Sequence, residues 1–334
     1  MGLNTEMSLS QHRLRPGLAL ALLAGVLWAG CGQEQAAPVD DGSAADAVAN
    51  GADGQIAGDG VEVCGPHKRA AAPSSLDALR PAKVYLPEAW DGCSKWPLIV
   101  LLHGYTASGA LQNFYLGLSK RVNSHGFVLL VPEGTKSLSG KLFWNATNAC
   151  CDFDGQNIDD VGYLRGLITA ATASLAVDPE RVYLIGHSNG GFMGYRMACE
   201  AADLVAGVAS IAGAVTATEA DCAPTRPVNV LQIHGTKDAT VPYGGTKYYP
   251  AATAALERWA GLNGCQAAPE LPNVDYDLSV DGPETSREHR GGGKEGTQAD
   301  LWTMTGSSHI PGFNDGFKDA MVETVLAWRR TPAP

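Results

Sequence analysis

The chain has 334 residues, 45% apolar and 18% charged. That is enough apolar side chain for a sizeable core, which excludes a wholly disordered chain, a coiled coil and a disulfide knot, and the length fits two domains or one large α/β domain. With 24 basic against 35 acidic residues the formal charge is −11, the wrong sign for a nucleic-acid partner.

Residues 1–16 are polar and contain Arg13 and Arg15; residues 17–29 form the run GLALALLAGVLWA, too short to span a bilayer comfortably. Basic, then apolar, then small is the layout of an export signal over 1–30. Ala29-Gly30-Cys31 follows and resembles a bacterial lipoprotein processing site, at which Cys31 would be lipidated and become the first mature residue; Trp28 stands where that pattern usually has Leu. The alternative is an ordinary signal peptide with release. The expectation is therefore an outer-membrane or cell-surface lipoprotein, or a secreted protein, touching a membrane only through an N-terminal lipid anchor. Residues 31–63 hold seven acids and no Lys or Arg, and almost no large apolar side chain. They cannot bury enough surface to offset ordering entropy and read as a disordered acidic linker.

From Cys64 to the end at 334 the texture is that of one folded domain. WPLIVLLHG (96–104), FVLLVPEG (127–134), RVYLIGHS (181–188), GVASIAG (207–213) and VNVLQIHG (228–235) are nearly continuous apolar runs. Such runs suit parallel strands covered on both faces. Helices are predicted over 159–176, 190–204, 251–262 and 315–330, the last ending in two Arg as a helix C-terminus prefers. VDYDLSV (274–280) and LWTMT (301–305) are expected to pair as the last strands, with the glycine-rich, charged 281–296 a surface loop between them. The order predicts a mostly parallel central sheet with helices on both faces, a three-layer α/β sandwich.

Gly186-His187-Ser188-Asn189-Gly190 is G-x-S-x-G between a strand and a helix. Small residues two before and two after let the Ser occupy a strained turn that lifts its hydroxyl out of the sheet. Ser188 is the candidate nucleophile. A Ser hydroxyl needs a base, and the base an orienting acid. Asp238, just past a strand end, is the candidate acid; Asp275 and Asp277, placed inside an edge strand, and Asp221 are its rivals. His309, after a strand and before the last helix, is the candidate base, whereas His289 lies among charges and reads as solvated. His187 reads as an elbow or packing residue, and His103 and His234 as loop organisers at strand ends. The oxyanion hole needs backbone N–H groups: Asn189, directly after the nucleophile, and Tyr105, with Thr106 as the fallback. No Cys or His spacing reads as zinc, no EF-hand string appears and no nucleotide loop is present, so neither metal nor cofactor is expected.

Several linked strings carry a family resemblance: LLHGYTASG, ACCD at 149–152, IDDVGYLRGLI, DPERVYLIGHSNGGFMGYRMACE, IHGTKDATVPYGG and GSSHIPG. Over roughly 80–330 the chain resembles the secreted esterases that include single-domain feruloyl esterases and polyhydroxybutyrate depolymerase-like proteins, the esterase D/LpqC-type branch of the α/β-hydrolases. The resemblance implies a carboxylic-ester hydrolase with the triad on Ser188, Asp238 and His309. It also implies an ester substrate: a feruloyl ester of plant-wall polysaccharide, a polyester oligomer, or acetylated xylan. The monomer is the expected state. Tyr105, Phe143, Trp144 and Tyr243 are candidate acyl-pocket aromatics, and Ile310 stands where the family often has Trp. Asp159 and Asp160 match the family's paired acids, with a structural capping role. The non-enzymatic alternative is a surface polymer-binding protein on a hydrolase scaffold. Beyond Cys31, export makes disulfides expected among Cys64, Cys93, Cys150, Cys151, Cys199, Cys222 and Cys265. Locality suggests Cys64–Cys93, one of Cys150 or Cys151 with Cys199, and Cys222–Cys265.

Overall fold

A computed structural model describes residues 73–77, 80–269 and 271–331; the export signal, Cys31, the acidic segment and Cys64 lie outside them. In chain order the strands are β1 (Ser75–Leu76), β2 (Ala82–Tyr85), β3 (Trp96–Leu102), β4 (Val128–Val131), β5 (Thr135–Lys136), β6 (Leu142–Phe143), β7 (Val177–His187), β8 (Gly207–Ile211), β9 (Asn229–Gly235), β10 (Gln266–Ala267), β11 (Leu271–Val274), β12 (Thr285–Gly291) and β13 (Ala299–Met304). The helices are α1 (Gly109–Leu116), α2 (Val122–His125), α3 (Asp160–Ser174), α4 (Asn189–Glu200), α5 (Ala252–Asn263) and α6 (Asp315–Ala327).

The apolar runs became the parallel heart of one sheet, ordered β1-β2-β4-β3-β7-β8-β9-β13-β12-β10, with β11 also on β12. Neighbours from β4 through β13 are parallel, and both margins are antiparallel. β3 shows why the runs do not alternate. Its Leu98, Val100 and Leu102 enter a core shared with α3, α4 and α5, while Ile99 and Leu101 enter a second core shared with α1, α2 and α6. Both faces are buried, so every position is apolar. This is the three-layer α/β-hydrolase fold. Because β3, β7, β9 and β13 run in parallel, the loops after them leave from one edge of the sheet.

The far end of the chain departs from expectation. Thr285–Gly291 is a strand, β12, paired along its length with β13, not part of a surface loop. It has no apolar stripe to announce it. Its ladder is reinforced by His289 Nδ1 on Asp300 at 2.5 Å and by Arg290 on Glu257 at 2.9 Å. Residues 275–280 are not strand; the Glu284 carboxylate accepts from the N–H groups of Tyr276 and Asp277 and holds them in a turn. The last helix ends at Ala327, so Arg329 and Arg330 do not close its final turn. Arg330 instead turns inward, is 1% exposed, and donates to the carbonyls of Ala202, Asp203 and Val205 beyond α4.

The disulfides also differ. Cys199 pairs with Cys222, and Cys150 with its neighbour Cys151. Cys265 is a free thiol. It sits after α5 beside the Thr297 carbonyl, whereas Cys222 closes the turn packed on α4. Cys93 is disulfide-bonded; its expected partner, Cys64, is outside the described residues. The Cys199–Cys222 bond closes a loop with a sequence separation of 23, a constraint on the unfolded chain worth about 3 kcal/mol. The double variant Cys199→Ser/Cys222→Ser is expected to lose about 3 kcal/mol in urea unfolding, with a steeper denaturant slope because the uncrosslinked unfolded chain exposes more surface.

Candidate active site

The site starts from a close approach. At the end of β7 the chain turns through Ser188 with φ 54° and ψ −119° and enters α4 at Asn189. Only a residue over-determined by its surroundings holds such a backbone. The surroundings are two glycines. A Cβ on Gly186 would collide with the Gly190 carbonyl, and one on Gly190 with the Leu102 carbonyl at the end of β3. Gly190 thus lets α4 press against β3, and Gly104 follows β3 so closely that a Cβ there would stand 3.5 Å from Ser188 Cβ.

Two N–H groups are left at this corner. The Asn189 N–H is the first of α4 and lacks an intrahelical partner; the Tyr105 N–H makes no hydrogen bond among the described residues. The Thr106 N–H, the fallback donor, is committed to the Leu142 carbonyl at 2.8 Å and is not available. The Asn189 side chain is buried and clasps the backbone of Trp144, accepting from its N–H at 2.7 Å and donating to its carbonyl at 2.9 Å. Trp144 Nε1 donates to the His103 carbonyl at 3.0 Å. His103 Nε2 accepts the Gly134 N–H at 2.8 Å, which leaves its Nδ1–H for the Gly104 carbonyl. The loop that offers Tyr105 is therefore tied down from beneath.

Across the corner, Asp238 and His309 meet. Asp238 lies in the turn after β9 and is 5% exposed. Its Oδ1 accepts the N–H groups of Thr240 and Val241, both at 2.8 Å, and its Oδ2 accepts from His309 Nδ1 at 2.7 Å. Burial alone would raise its pKa, but hydrogen bonds from His234, His309 and the Val241 N–H outweigh burial and hold the carboxyl well below the usual range. With Nδ1 committed to Asp238, Nε2 is the His309 ring nitrogen left for other partners. The His309 loop has three anchors: His187 Nε2 on the His309 carbonyl at 2.9 Å, Tyr115 Oη on the Pro311 carbonyl at 2.8 Å, and the Gly312 N–H on Asp277 at 2.8 Å. Asp277 is thus a loop anchor and does not approach His309 as an acid. His289 lies on β12 with Asp300, away from this edge.

Ser188 and His309 open into one cavity of about 540 Å³, whose wall includes Tyr105, Leu111, Phe114, Tyr115, His187 and Ile310. Tyr105 and Ile310 line this cavity. Phe143 and Trp144 are fully buried in the core and do not line it. Tyr243 is also excluded: its hydroxyl pairs with Thr303 at 2.8 Å and its ring meets His234 edge-on. The residues missed are on α1. Leu111 and Phe114, three apart on that helix, are 57% and 80% exposed, and apolar side chains facing outward at helical spacing were the available signal. Asp159 caps α3 through the Gly162 N–H, and Asp160 is buried against Arg80, both structural. Among the described residues no cluster of His, Cys, Asp or Glu could hold a metal.

The sheet, the strained serine turn and the acid–histidine pair define an α/β-hydrolase. A phospholipase/carboxylesterase family model matches residues 93–259, half of the chain, and the chain belongs to that family. It is 35% identical over 160 residues to the putative esterase NocK of Nocardia uniformis subsp. tsuyamanensis, covering 48% of this chain and 45% of that one. It is 27% identical over 241 residues to feruloyl esterase B of Piromyces equi, covering 69% of this chain and 42% of that one. The chain thus spans less than half the length of these two relatives. An acetyl xylan esterase from Aspergillus awamori shares the fold, with TM-score 0.53 at 15% identity over 74% of this chain and 94% of that one.

Gly186→Ala forces a Cβ onto the Gly190 carbonyl and is expected to cost about 2–3 kcal/mol in urea unfolding. Gly166→Ala, in α3 with open space around its Cβ, is expected to be neutral or to stabilise by up to about 1 kcal/mol. Burial lowers His103 and His187 to about 4 each. An unfolded histidine takes up its proton near pH 6.5, so each of the two removes stability as pH falls from about 7 to 4, by about 3 kcal/mol at pH 4. Unfolding free energies across that window should fall accordingly, and His103→Asn, though less stable at pH 7, should show the shallower slope.

Proposed function

We propose that the protein is an exported serine carboxylic-ester hydrolase that works through an acyl-enzyme. The observation that carries this reading is the Asp238–His309 hydrogen bond at 2.7 Å, placed on the cavity into which Ser188 opens. His309 Nε2 takes the hydroxyl proton as Ser188 Oγ bonds to the ester carbonyl carbon. The N–H groups of Asn189 and Tyr105 hold the oxyanion, each worth about 3 kcal/mol in the transition state. The tetrahedral intermediate collapses; the ester C–O bond breaks and the leaving alcohol takes the proton from His309. Water then attacks the acyl-enzyme with the same histidine as base, giving the free acid and Ser188. Neither a metal nor a cofactor enters, and the monomer suffices. The N-terminal signal delivers the chain to the surface, tethered at Cys31 or released.

The favoured substrate is a hydroxycinnamate ester of plant-wall polysaccharide. Support comes from the relative named as a feruloyl esterase and from a cavity wall of Tyr105, Leu111, Phe114, Tyr115 and Ile310 that suits a planar apolar acyl group. A second reading, hydrolysis of a polyester such as polyhydroxybutyrate, is favoured by one feature. Leu111, Phe114 and Ile310 at the mouth are 57%, 80% and 63% exposed, an apolar rim fit for a water-insoluble chain.

Ser188→Ala is expected to lower turnover of p-nitrophenyl acetate by about 10³-fold or more while the protein stays folded; unchanged turnover would remove Ser188 from the mechanism. Purified protein given methyl ferulate, 3-hydroxybutyrate oligomers and acetylated xylan should hydrolyse the ferulate with the highest kcat/KM, and preference for the oligomers would reverse the two readings.

A further inference from the structure

From Asp238 a line of buried polar side chains runs through His234 and Gln232 to Tyr195 on α4. Tyr195, on α4, is 1% exposed, and burial raises its phenol so that the hydroxyl keeps its proton. That hydroxyl donates to Gln232 Oε1 at 2.7 Å. The other end of the amide, Nε2, lies 2.9 Å from the Gly213 carbonyl and 2.9 Å from His234 Nδ1. A carbonyl can only accept, so the Gly213 contact fixes the amide nitrogen on that side, and its second hydrogen points at Nδ1. His234 Nδ1 is therefore an acceptor, and the neutral ring carries its one proton on Nε2. That N–H donates to the Val241 carbonyl at 2.7 Å, with Asp238 Oδ2 beside it at 3.4 Å.

The two ends of the Asp238 turn are thereby locked. Val241 gives its N–H to Asp238 Oδ1 and its carbonyl to His234. The oxygen next to His234, Oδ2, is the one that receives His309. His234 is itself 3% exposed and has no room to rotate. A neutral donor in this place steadies the carboxylate without competing for it as a second cation would. We infer that His234 is a positioning residue for the hydrolytic reaction: acting through Asp238, and oriented by Tyr195 and Gln232, it holds the carboxylate at the angle that aims His309. Nothing in this chain of contacts touches the cavity, so its effect belongs to kcat and not to substrate binding.

This inference rests on the Ser188–His309–Asp238 reading, and the experiment separates the two. Initial rates of p-nitrophenyl acetate hydrolysis would be measured on the full chain for Ser188→Ala, His234→Phe, His234→Gln and Tyr195→Phe, with circular dichroism to confirm folding. His234→Phe keeps the ring volume without a donor; the expected result is a loss of about 30- to 100-fold in kcat with KM within twofold. His234→Gln returns an amide N–H near the Nε2 position and should recover at least tenfold of that loss. Tyr195→Phe removes only the hydroxyl that orients Gln232 and should lower kcat about three- to tenfold at unchanged KM. If His234→Phe does not fold, His234→Gln and Tyr195→Phe decide: kcat values within 1.5-fold of the parent in both overturn the inference. So does a folded His234→Phe that matches His234→Gln, or a loss carried by KM. Persisting activity in Ser188→Ala would bring down the hydrolase reading instead, whatever the His234 variants do.

Discussion

Everything at this site depends on how closely α4 is allowed to approach the end of β3. Gly190 lies against the Leu102 carbonyl and Gly186 against Gly190 itself, so a side chain at either position would force backbone apart. That contact drives the chain through the φ 54° turn at Ser188. The same contact brings the start of α4 close to the Gly104–Tyr105 loop, and the N–H groups of Asn189 and Tyr105 make no hydrogen bond among the described residues. The strain is a cost of order 1–3 kcal/mol, offset by the burial of α4, whose Phe192, Met193, Tyr195 and Met197 are all in the core.

A second principle governs the side chains underneath. Three buried histidines surround the corner, and each has a ring nitrogen committed to a neighbour of fixed polarity. Gly134 N–H faces His103 Nε2, the Gln232 amide faces His234 Nδ1, and the His309 carbonyl faces His187 Nε2. Neutrality matters because Asp238 is the charge that His309 must feel. A buried cation nearby would draw that charge away. His103 and His187 are kept uncharged chiefly by desolvation, so scaffold stability and charge placement at the site are set by the same burial.

Legibility in the sequence followed the same physics. The parallel strands announced themselves because β3, β4, β8 and β9 are buried on both faces, and the serine turn did so because its glycines have no substitute. Asp238 and His309 could be found from their places after strands β9 and β13. Edge strand β12 could not: Thr285-Ser286-Arg287-Glu288-His289-Arg290 has no apolar stripe and is a strand only because β13 lies beside it. The disulfides were hidden for a related reason. Which cysteine meets Cys199 depends on the path of the turn 219–221, a tertiary fact with no local signature. Phe143, Trp144 and Tyr243 were misplaced because an aromatic near a site in sequence can serve the core as readily as the cavity. Trp144 shows how: it shapes the site from behind, through the Asn189 clasp, without reaching the substrate side.

The two sides of Ser188 thus have opposite chemistry, and the difference bears on what the site accepts. Beneath and behind it, Asn189, His103, Asp238 and His234 are buried and paired, which fixes Asp238, His309 and the Tyr105 loop in place. In front, the wall contributed by α1 and Ile310 is apolar and partly open to water. A rigid polar base lowers the reorganisation needed when charge develops on the carbonyl oxygen. An apolar, exposed mouth contributes affinity by shedding water and sets few directional demands on the acyl group. On the proposed hydrolytic reading, discrimination between esters would lie in the size and apolarity of an acyl group placed along α1, and rate would be set from the opposite side by residues that do not line the cavity.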